Sequence, residues 1–298
     1  MPGVSASWAA LADLSDGCAE IRLSPQRPNI ARLAGMSQET VRSAPVLGID
    51  IGGSGIKGAP VDLATGEFTT KRLRITTPQK STPKNVAAVV AEIVAEFVGI
   101  IGDGPIGVTI PAVVTHGKTR SAANIDKSWI DADAEKIFED QLDREILLVN
   151  DADAAGIAEV HYGAAKGHPG LVIMTTLGTG IGSAIVYRGV LIPNSELGHL
   201  EIDGHDAETR AAASAREREG LSFSEYVPRL QRYYERLEAL LWPDLIVIGG
   251  GVSKNSDKFI PKLKLNAEVV PAKLLNTAGI VGAAWLAADR QINPDQLR

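Results

Sequence analysis

The chain carries a single cysteine, Cys18, in 298 residues. One thiol can neither close an intramolecular disulfide nor build a cysteine-rich zinc cage. Positive charge is also in short supply. Thirty Lys+Arg face 36 Asp+Glu, a formal charge of −6, so no net positive field draws the chain to nucleic acid or to an anionic membrane. Long apolar runs are missing as well. The longest, Val86 to Ile101, is interrupted by Glu92 and Glu96 and falls short of the roughly 18 residues a spanning helix needs. No Lys or Arg precedes Arg22, so the basic flank of a secretory signal is absent. These absences point to a soluble protein of a reducing compartment, expected in the cytoplasm. At about 100–200 residues per domain, the length suggests two domains.

Residues 1–45 show no sustained strand pattern and are broken by Pro25, Pro28 and Pro45, which marks an N-terminal extension. From Val46 onward short β-branched runs alternate with amphipathic helices, the pattern of an α/β protein. Val46 to Ile51 is a buried-strand candidate, followed by a glycine turn and a second strand through Val61. Asp62 to Glu67 reads as a hairpin loop leading into a strand from Phe68 to Ile75. Asn85 to Ile100 presents an apolar helical stripe at Val86, Val89, Val90, Ile93, Val94 and Phe97. Strands follow at Ile106–Ile110 and Ile146–Val149.

The pattern then restarts. A shift of 125 residues lays Val46–Ile56 over Leu171–Ile181, so that Gly53-Ser54-Gly55-Ile56 meets Gly178-Thr179-Gly180-Ile181, each behind an apolar run. This suggests two similar halves, each opening with strand, glycine turn and strand. Facing glycine turns would cradle phosphate from both sides of a cleft.

Gly53-Ser54-Gly55-Ile56-Lys57-Gly58 fits G-x-G-x-x-G literally, but the dinucleotide fingerprint requires a helix directly after its glycines. Here Pro60 and the turn at Thr65-Gly66 argue for a strand, and no acidic residue sits near the expected offset of about 20. A Walker loop fails too, because Ala112 stands where the first glycine before Gly117-Lys118-Thr119 belongs. What remains is a turn offering backbone N–H groups to phosphate oxygens. Leu177-Gly178-Thr179-Gly180-Ile181-Gly182 is a second such element. Gly249-Gly250-Gly251, after the strand Leu245–Ile248, is a third, at a strand-to-helix crossing. Glycine at this density costs conformational entropy, which makes sense where backbone must approach something closely.

Two carboxylates, Asp151 and Asp153, follow the strand that ends at Val149. Ligands of open α/β sheets bind at the C-terminal ends of strands, so either can serve as general base while the other caps a helix from Ala154 to Tyr162. Spacing does not choose between them. Glu196-Leu197-Gly198-His199 offers an acceptor and a donor to polyol hydroxyls.

Together these motifs resemble the ROK family of sugar kinases and repressors, within the actin/hexokinase-like superfamily. Asp50 to Lys57 looks like its first phosphate motif and Leu177 to Gly182 its second. Glu196–His199 looks like its sugar-binding E-x-G-H, Asn150-Asp151 its Asn-Asp pair, and Asp244–Ser253 its adenosine motif. The resemblance runs from about Val46 to Ala288. It implies two RNase H-like α/β domains around a central cleft: a small one over 46–149, joined by a C-terminal helix at 277–290, and a large one over 150–276. It also selects Asp151 as the base.

Two departures stand out. The family's cysteine-rich zinc motif has no counterpart after His199, so no bound zinc is expected and His199 is left for sugar. The family's Pro-Gly is Pro111-Ala112 here. The segments Glu196–Gly204, Ala123–Trp129 and Arg216–Leu221 look most like the polyphosphate-using glucokinases of the family. The resemblance therefore implies phosphorylation of the 6-hydroxyl of glucose, with mannose as a second acceptor, from polyphosphate, ATP or both. Asn124, Asn150, Glu196 and His199 would hold ring hydroxyls. Gly52, Gly53, Ser54, Gly55, Lys57, Gly178, Thr179 and Gly180 would surround phosphate, with Gly249, Gly250 and Gly251 under the nucleotide. Mg²⁺ would be held through phosphate and water, with Asp50 nearby. A polyphosphate chain needs further cations, for which Lys57, Lys118, Arg120 and the arginines of Arg210–Arg236 are the candidates, although acidic residues alternate with the last group. The competing reading is a sugar-responsive regulator, since Asn29–Arg42 resembles a helix-turn-helix. That stretch is barely basic, and the strand at Val46 leaves no third helix or wing.

Overall fold

The apolar run at Val46 becomes β1 (Val46–Gly52), turns at Gly53-Ser54, and returns antiparallel as β2 (Gly55–Asp62). A strand after the glycines, not a helix, removes the dinucleotide reading. The computed structural model describes residues 44–122 and 125–292. All of the N-terminal extension but Ala44 and Pro45, including the helix-turn-helix-like stretch, lies outside them, as does Asn124. Along the chain follow β3 (Glu67–Phe68), β4 (Leu73–Ile75), α1 (Pro83–Ile101), β5 (Ile106–Ile110), and the short pair β6 (Val114–Thr115) and β7 (Lys118–Thr119). Then come α2 (Ala134–Leu142), β8 (Leu147–Asn150), α3 (Asp151–Tyr162), β9 (Leu171–Leu177), β10 (Ile181–Tyr187) and β11 (Val190–Ile192). The short pair β12 (Glu201–Ile202) and β13 (His205–Asp206) precedes α4 (Glu208–Ala211), α5 (Ala213–Arg218) and α6 (Phe223–Leu241). β14 (Leu245–Gly249), β15 (Glu268–Pro271) and α7 (Ala278–Ile292) are the last elements among the described residues.

The strands form two main sheets of matching order. The first runs β3-β2-β1-β5-β8 and the second β11-β10-β9-β14-β15. Each begins with an antiparallel glycine hairpin, and parallel strands join the hairpin's first strand on its other side. The 125-residue shift seen in the sequence carries the first residue of β1 onto the first residue of β9. The repeat is architectural.

Burial on both faces explains the near-continuous apolar strands. Leu47, Ile49 and Ile51 of β1 face the stripe of α1, whose Val86, Val90, Ile93 and Phe97 are buried with them. The opposite face lies under α7, and Gly48 is required there: a β-carbon would lie 1.9 Å from the Ile280 carbonyl oxygen. The second sheet packs α6 on one face through Tyr226, Leu230, Tyr233 and Leu237. A shared core joins the other faces of both sheets to α3 and α7. These two helices form the middle layer.

Two local expectations shift. Helix α1 starts two residues early because Thr82 caps it through the Asn85 N–H and Pro83 takes the first position. The strand expected over Phe68–Ile75 splits into β3 and β4. β3 pairs with Val61-Asp62 and β4 with Ile56–Gly58. The gap lies opposite Ala59-Pro60, where proline has no N–H to donate.

Candidate active site

The end of β8 and the start of α3 place two carboxylates in one helical turn. The cap is neither aspartate. Asn150 caps α3, its Oδ1 accepting from the Ala152 N–H at 2.8 Å and the Asp153 N–H at 3.1 Å, while its Nδ2 donates to the Ala112 carbonyl at 3.1 Å. These bonds leave one amide hydrogen of Asn150 for a ligand. With the cap supplied, both aspartates occupy the first turn of α3.

Their surroundings differ. Burial, with the neighbouring charges of Asp50 and Glu196, pushes the Asp151 carboxyl up to about 7, against the lowering effect of the Ala152 N–H at 2.9 Å. Burial also pushes Asp153 up to about 7, helped by Asp151 and Glu196 and opposed by the Asn194 N–H, which donates to Oδ2 at 2.7 Å. The other oxygen of Asp153 is buried with no hydrogen-bond partner among the described residues. Asp153 also lines a cavity of about 260 Å³, together with His116, Glu135, Asn194 and Arg290. Asp153 thus ties α3 to the loop before Glu196, and Asp151 keeps company with the other acids of the site.

At the first glycine turn, Asp50 receives the Thr109 hydroxyl at 3.0 Å and the Lys57 ammonium at 3.1 Å. Thr109, Asp50 and Lys57 are register partners across β5, β1 and β2. Lys57 is therefore already paired with an acid. Gly53 and Ser54 are exposed at the tip, and the Thr77 hydroxyl holds the Gly52 carbonyl at 2.6 Å.

The second turn is braced from outside the hairpin. Ser214 donates its N–H to the Gly178 carbonyl and its hydroxyl to the Thr179 carbonyl, and Glu208 Oε2 accepts the Ile181 N–H at 3.0 Å. Gly250, with φ of 81°, lies against Leu177: a β-carbon there would be 2.3 Å from the Leu177 carbonyl oxygen. The third glycine cluster thus abuts the second turn. It leads from β14 into a 3₁₀ segment, Gly251–Lys258, instead of an α-helix.

The Glu196–His199 loop is stapled to β10, where Ser183 Oγ accepts the Leu197 N–H at 2.9 Å. A β-carbon at Gly198 would lie 2.3 Å from the Ile181 carbonyl oxygen, so only glycine allows this approach. His199 Nδ1 pairs with Asp206 Oδ2 at 2.8 Å, and its Nε2 lies 3.9 Å from Glu196 Oε2. The bond to Asp206 raises the His199 pKa, while burial raises that of Glu196. Asp206 Oδ1 in turn accepts the Glu208 N–H. Ligand atoms of His199, Asp206 and Glu208 fall within 4.8 Å of one another. One ring nitrogen of His199 is consequently committed to Asp206, which narrows its expected availability for sugar to Nε2.

The structure thus gathers Asp50, Asp151, Glu196 and His199 into one electrostatically coupled group. Asp206, Glu208 and Thr109 belong to the same neighbourhood and were missed by motif reading, since none is part of a glycine turn or an E-x-G-H string. The cations proposed for polyphosphate fare differently. Lys118 pairs with Asp133, Arg120 with Asp131, Arg229 with Glu219 and Arg232 with Asp203. These are solvated ion pairs, which the alternating charges suggested for Arg229 and Arg232 but not for Lys118 and Arg120.

The family model described as "ROK family" matches residues 46–219. A polyphosphate glucokinase of Mycobacterium tuberculosis is 50% identical over 238 residues, covering 80% of this chain and 89% of that protein. The polyphosphate glucokinase of Mycobacterium leprae is 48% identical over 238 residues, covering 80% of this chain and 72% of its own. The crystal structure of inorganic polyphosphate/ATP-glucomannokinase from Arthrobacter sp. strain KM matches with a TM-score of 0.79 at 52% identity, covering 83% of this chain and 99% of that one. Two similar α/β halves on an actin-like plan, with the family's motifs in order, give the same answer as these likenesses: the chain belongs to the ROK family.

Proposed function

We propose that this chain is a hexokinase that transfers the terminal phosphoryl group of polyphosphate or ATP to the 6-hydroxyl of glucose, with mannose as a second acceptor, in the cytoplasm. The observation that carries this reading is Asp151: a carboxylate fixed at the head of α3, pushed to about 7 and coupled to Asp50 and Glu196. A base with a pKa near ambient pH suits proton abstraction from a hydroxyl. The relatives' names supply the substrate class.

The 6-hydroxyl oxygen forms a bond to the terminal phosphorus as the bond to the rest of the donor breaks. Asp151 accepts the hydroxyl proton, and ADP or a shortened polyphosphate leaves. Glu196, His199 Nε2, Asn124 and the remaining amide hydrogen of Asn150 orient the sugar. Backbone N–H groups of the two glycine turns meet the phosphoryl oxygens, so positioning and electrostatics do most of the catalysis. Gly249–Gly251 offers bare backbone to a nucleotide.

Oxygen ligands at Asp50 and Thr109, with Asp151 beyond, suit a hard hydrated cation such as Mg²⁺. Asp50 would hold its waters, since both carboxylate oxygens already accept bonds from protein. When bound, the ion neutralises charge developing on the transferred phosphate. No zinc is proposed, as His199, Asp206 and Glu208 are already engaged with one another or with backbone N–H groups.

Glucose and Mg²⁺, supplied separately with ATP and with polyphosphate, test the reading through formation of glucose 6-phosphate. Product with ATP alone would reduce the chain to an ATP-dependent glucokinase. No product with either donor, together with a DNA gel-shift that vanishes on deleting residues 1–45, would establish the regulator.

A further inference from the structure

Of the cations named from the sequence, Lys57, Lys118, Arg120, Arg218, Arg229 and Arg232 pair with acids, and Arg210 and Arg216 bond to His205 and the Leu221 carbonyl, yet a polyanionic donor needs unpaired ones. Another group stands at the first glycine turn. β4 pairs with β2 so that Arg74 lies opposite Lys57, which itself lies opposite Asp50. Arg74 therefore ends a cross-strand row, Thr109–Asp50–Lys57–Arg74, that leads outward from the acid cluster to the edge of the sheet. Its Nη2 donates to the Ser54 carbonyl at 2.9 Å, and a β-carbon on Gly55 would lie 2.7 Å from its Nε. The guanidinium thus rests on the turn that offers its backbone to phosphate. No acidic side chain pairs with it among the described residues, and one of its five N–H donors is used.

The surrounding chain has the same character. Between Phe68 and Lys84 stand Lys71, Arg72, Arg74, Lys80 and Lys84 with no Asp or Glu, in a protein whose overall charge is −6. Lys71, Arg74 and Lys80 are exposed. Arg72 reaches across to the Asn276 carbonyl at 3.4 Å. Exposed hydroxyl residues of the same segment, Thr70 and Thr76, add donors suited to phosphate oxygens. Beside the first phosphate turn, cationic charge accumulates here with no acidic residue in the segment.

We propose that Arg74, with Lys71 and Lys80, forms the subsite for the distal phosphates of a linear polyphosphate donor. The chain would enter the first glycine turn along the β4 edge. The inference rests on the polyphosphate reading above and identifies what receives the polymer beyond its reacting end. ATP, with only two phosphates behind the one transferred and its base directed to Gly249–Gly251, would gain little from Lys71 or Lys80.

The test compares Arg74→Gln, Arg74→Lys and the double variant Lys71→Gln/Lys80→Gln with wild type, using long polyphosphate, tripolyphosphate and ATP. For long polyphosphate, KM should rise about tenfold for Arg74→Gln, the scale of one lost charge-assisted contact. Arg74→Lys should recover part of that loss. The double variant should raise KM for long polyphosphate several-fold while sparing tripolyphosphate. In each case kcat should hold, the KM for ATP should move by no more than about threefold, and the dependence of polyphosphate KM on salt should flatten. If Arg74→Gln weakens both donors equally, Arg74 merely braces the turn and the proposal fails. It also fails if the double variant treats long and short chains alike. A wild-type enzyme active with ATP and inert with every polyphosphate would instead end the polyphosphate reading itself.

Discussion

Gly282 of α7 lies directly against the backbone of Ala154 on α3: a β-carbon added there would stand 1.8 Å from the Ala154 carbonyl oxygen. The crossing joins the two helices of the middle layer, so the geometry between the halves of the molecule depends on it. Backbone, not a flexible side chain, is what a new atom would meet. Helix propensity alone would favour alanine over glycine by about 1 kcal/mol. Overpacking costs about 1–3 kcal/mol or more, and here it should win.

Gly282→Ala is therefore expected to lower stability by about 2 kcal/mol or more. Gly99, exposed on α1 with nothing within 4 Å of an added β-carbon, provides the contrast. Gly99→Ala should raise stability by several tenths of a kcal/mol to about 1. Denaturant titration of the pair checks the argument, and equal effects of the same sign would refute it.

The contrast also marks what can be read from sequence. Gly48, Gly99 and Gly282 look alike in a string, and only packing against α7, solvent and α3 separates them. Local patterns were legible because local physics decides them: the α1 stripe, the strand after Gly55 enforced by Pro60, and the hairpin repeat. Asn150 as the cap of α3 was not, because Asn and Asp compete for that position and the Ala112 carbonyl that helps hold Asn150 is 38 residues away. Nor was the engagement of His199 with Asp206, which needs the β12–β13 turn to bring them together. The pairing of Lys57 with Asp50 required strand register, and so did the row that ends at Arg74.

Asp151 should declare itself through pH. Its carboxylate is the active form and its pKa is about 7. The rate at limiting sugar should therefore rise with slope one as pH increases toward 7 and level off above it. Asp151→Asn should lower kcat by roughly 10²-fold or more while sugar affinity changes only a few-fold. A larger kcat loss in Asp153→Asn than in Asp151→Asn would show that the base is the other carboxylate.

His199 gives a metal prediction. Asp206 and Glu208 already use their oxygens on His199 Nδ1, the Glu208 N–H and the Ile181 N–H. Purified protein should hold well under one zinc per chain, and a chelator should leave its melting temperature in place. A structural zinc, by contrast, contributes folding energy that a chelator removes. Tightly held zinc at one per chain would convert His199, Asp206 and Glu208 into its ligands and take His199 away from sugar.

Asp153 carries the last prediction, one of stability instead of rate. Its pKa is about 7 in the folded protein and about 3.8 as a free carboxyl. Between these values the folded state keeps a proton that the unfolded chain has released. Stability must therefore decline as pH rises from about 4 to about 7, and stay level above. A shift of three units corresponds to roughly 4 kcal/mol. Asparagine can still accept the Asn194 N–H through its carbonyl, and its neutral NH₂ would replace the buried, partnerless oxygen. Asp153→Asn should thus melt higher than wild type at pH 8, and the gap should close or reverse toward pH 5. Melting temperatures taken across that range decide it. Parallel pH curves for the two proteins would mean that Asp153 is ionised in the fold, with its second oxygen satisfied by solvent.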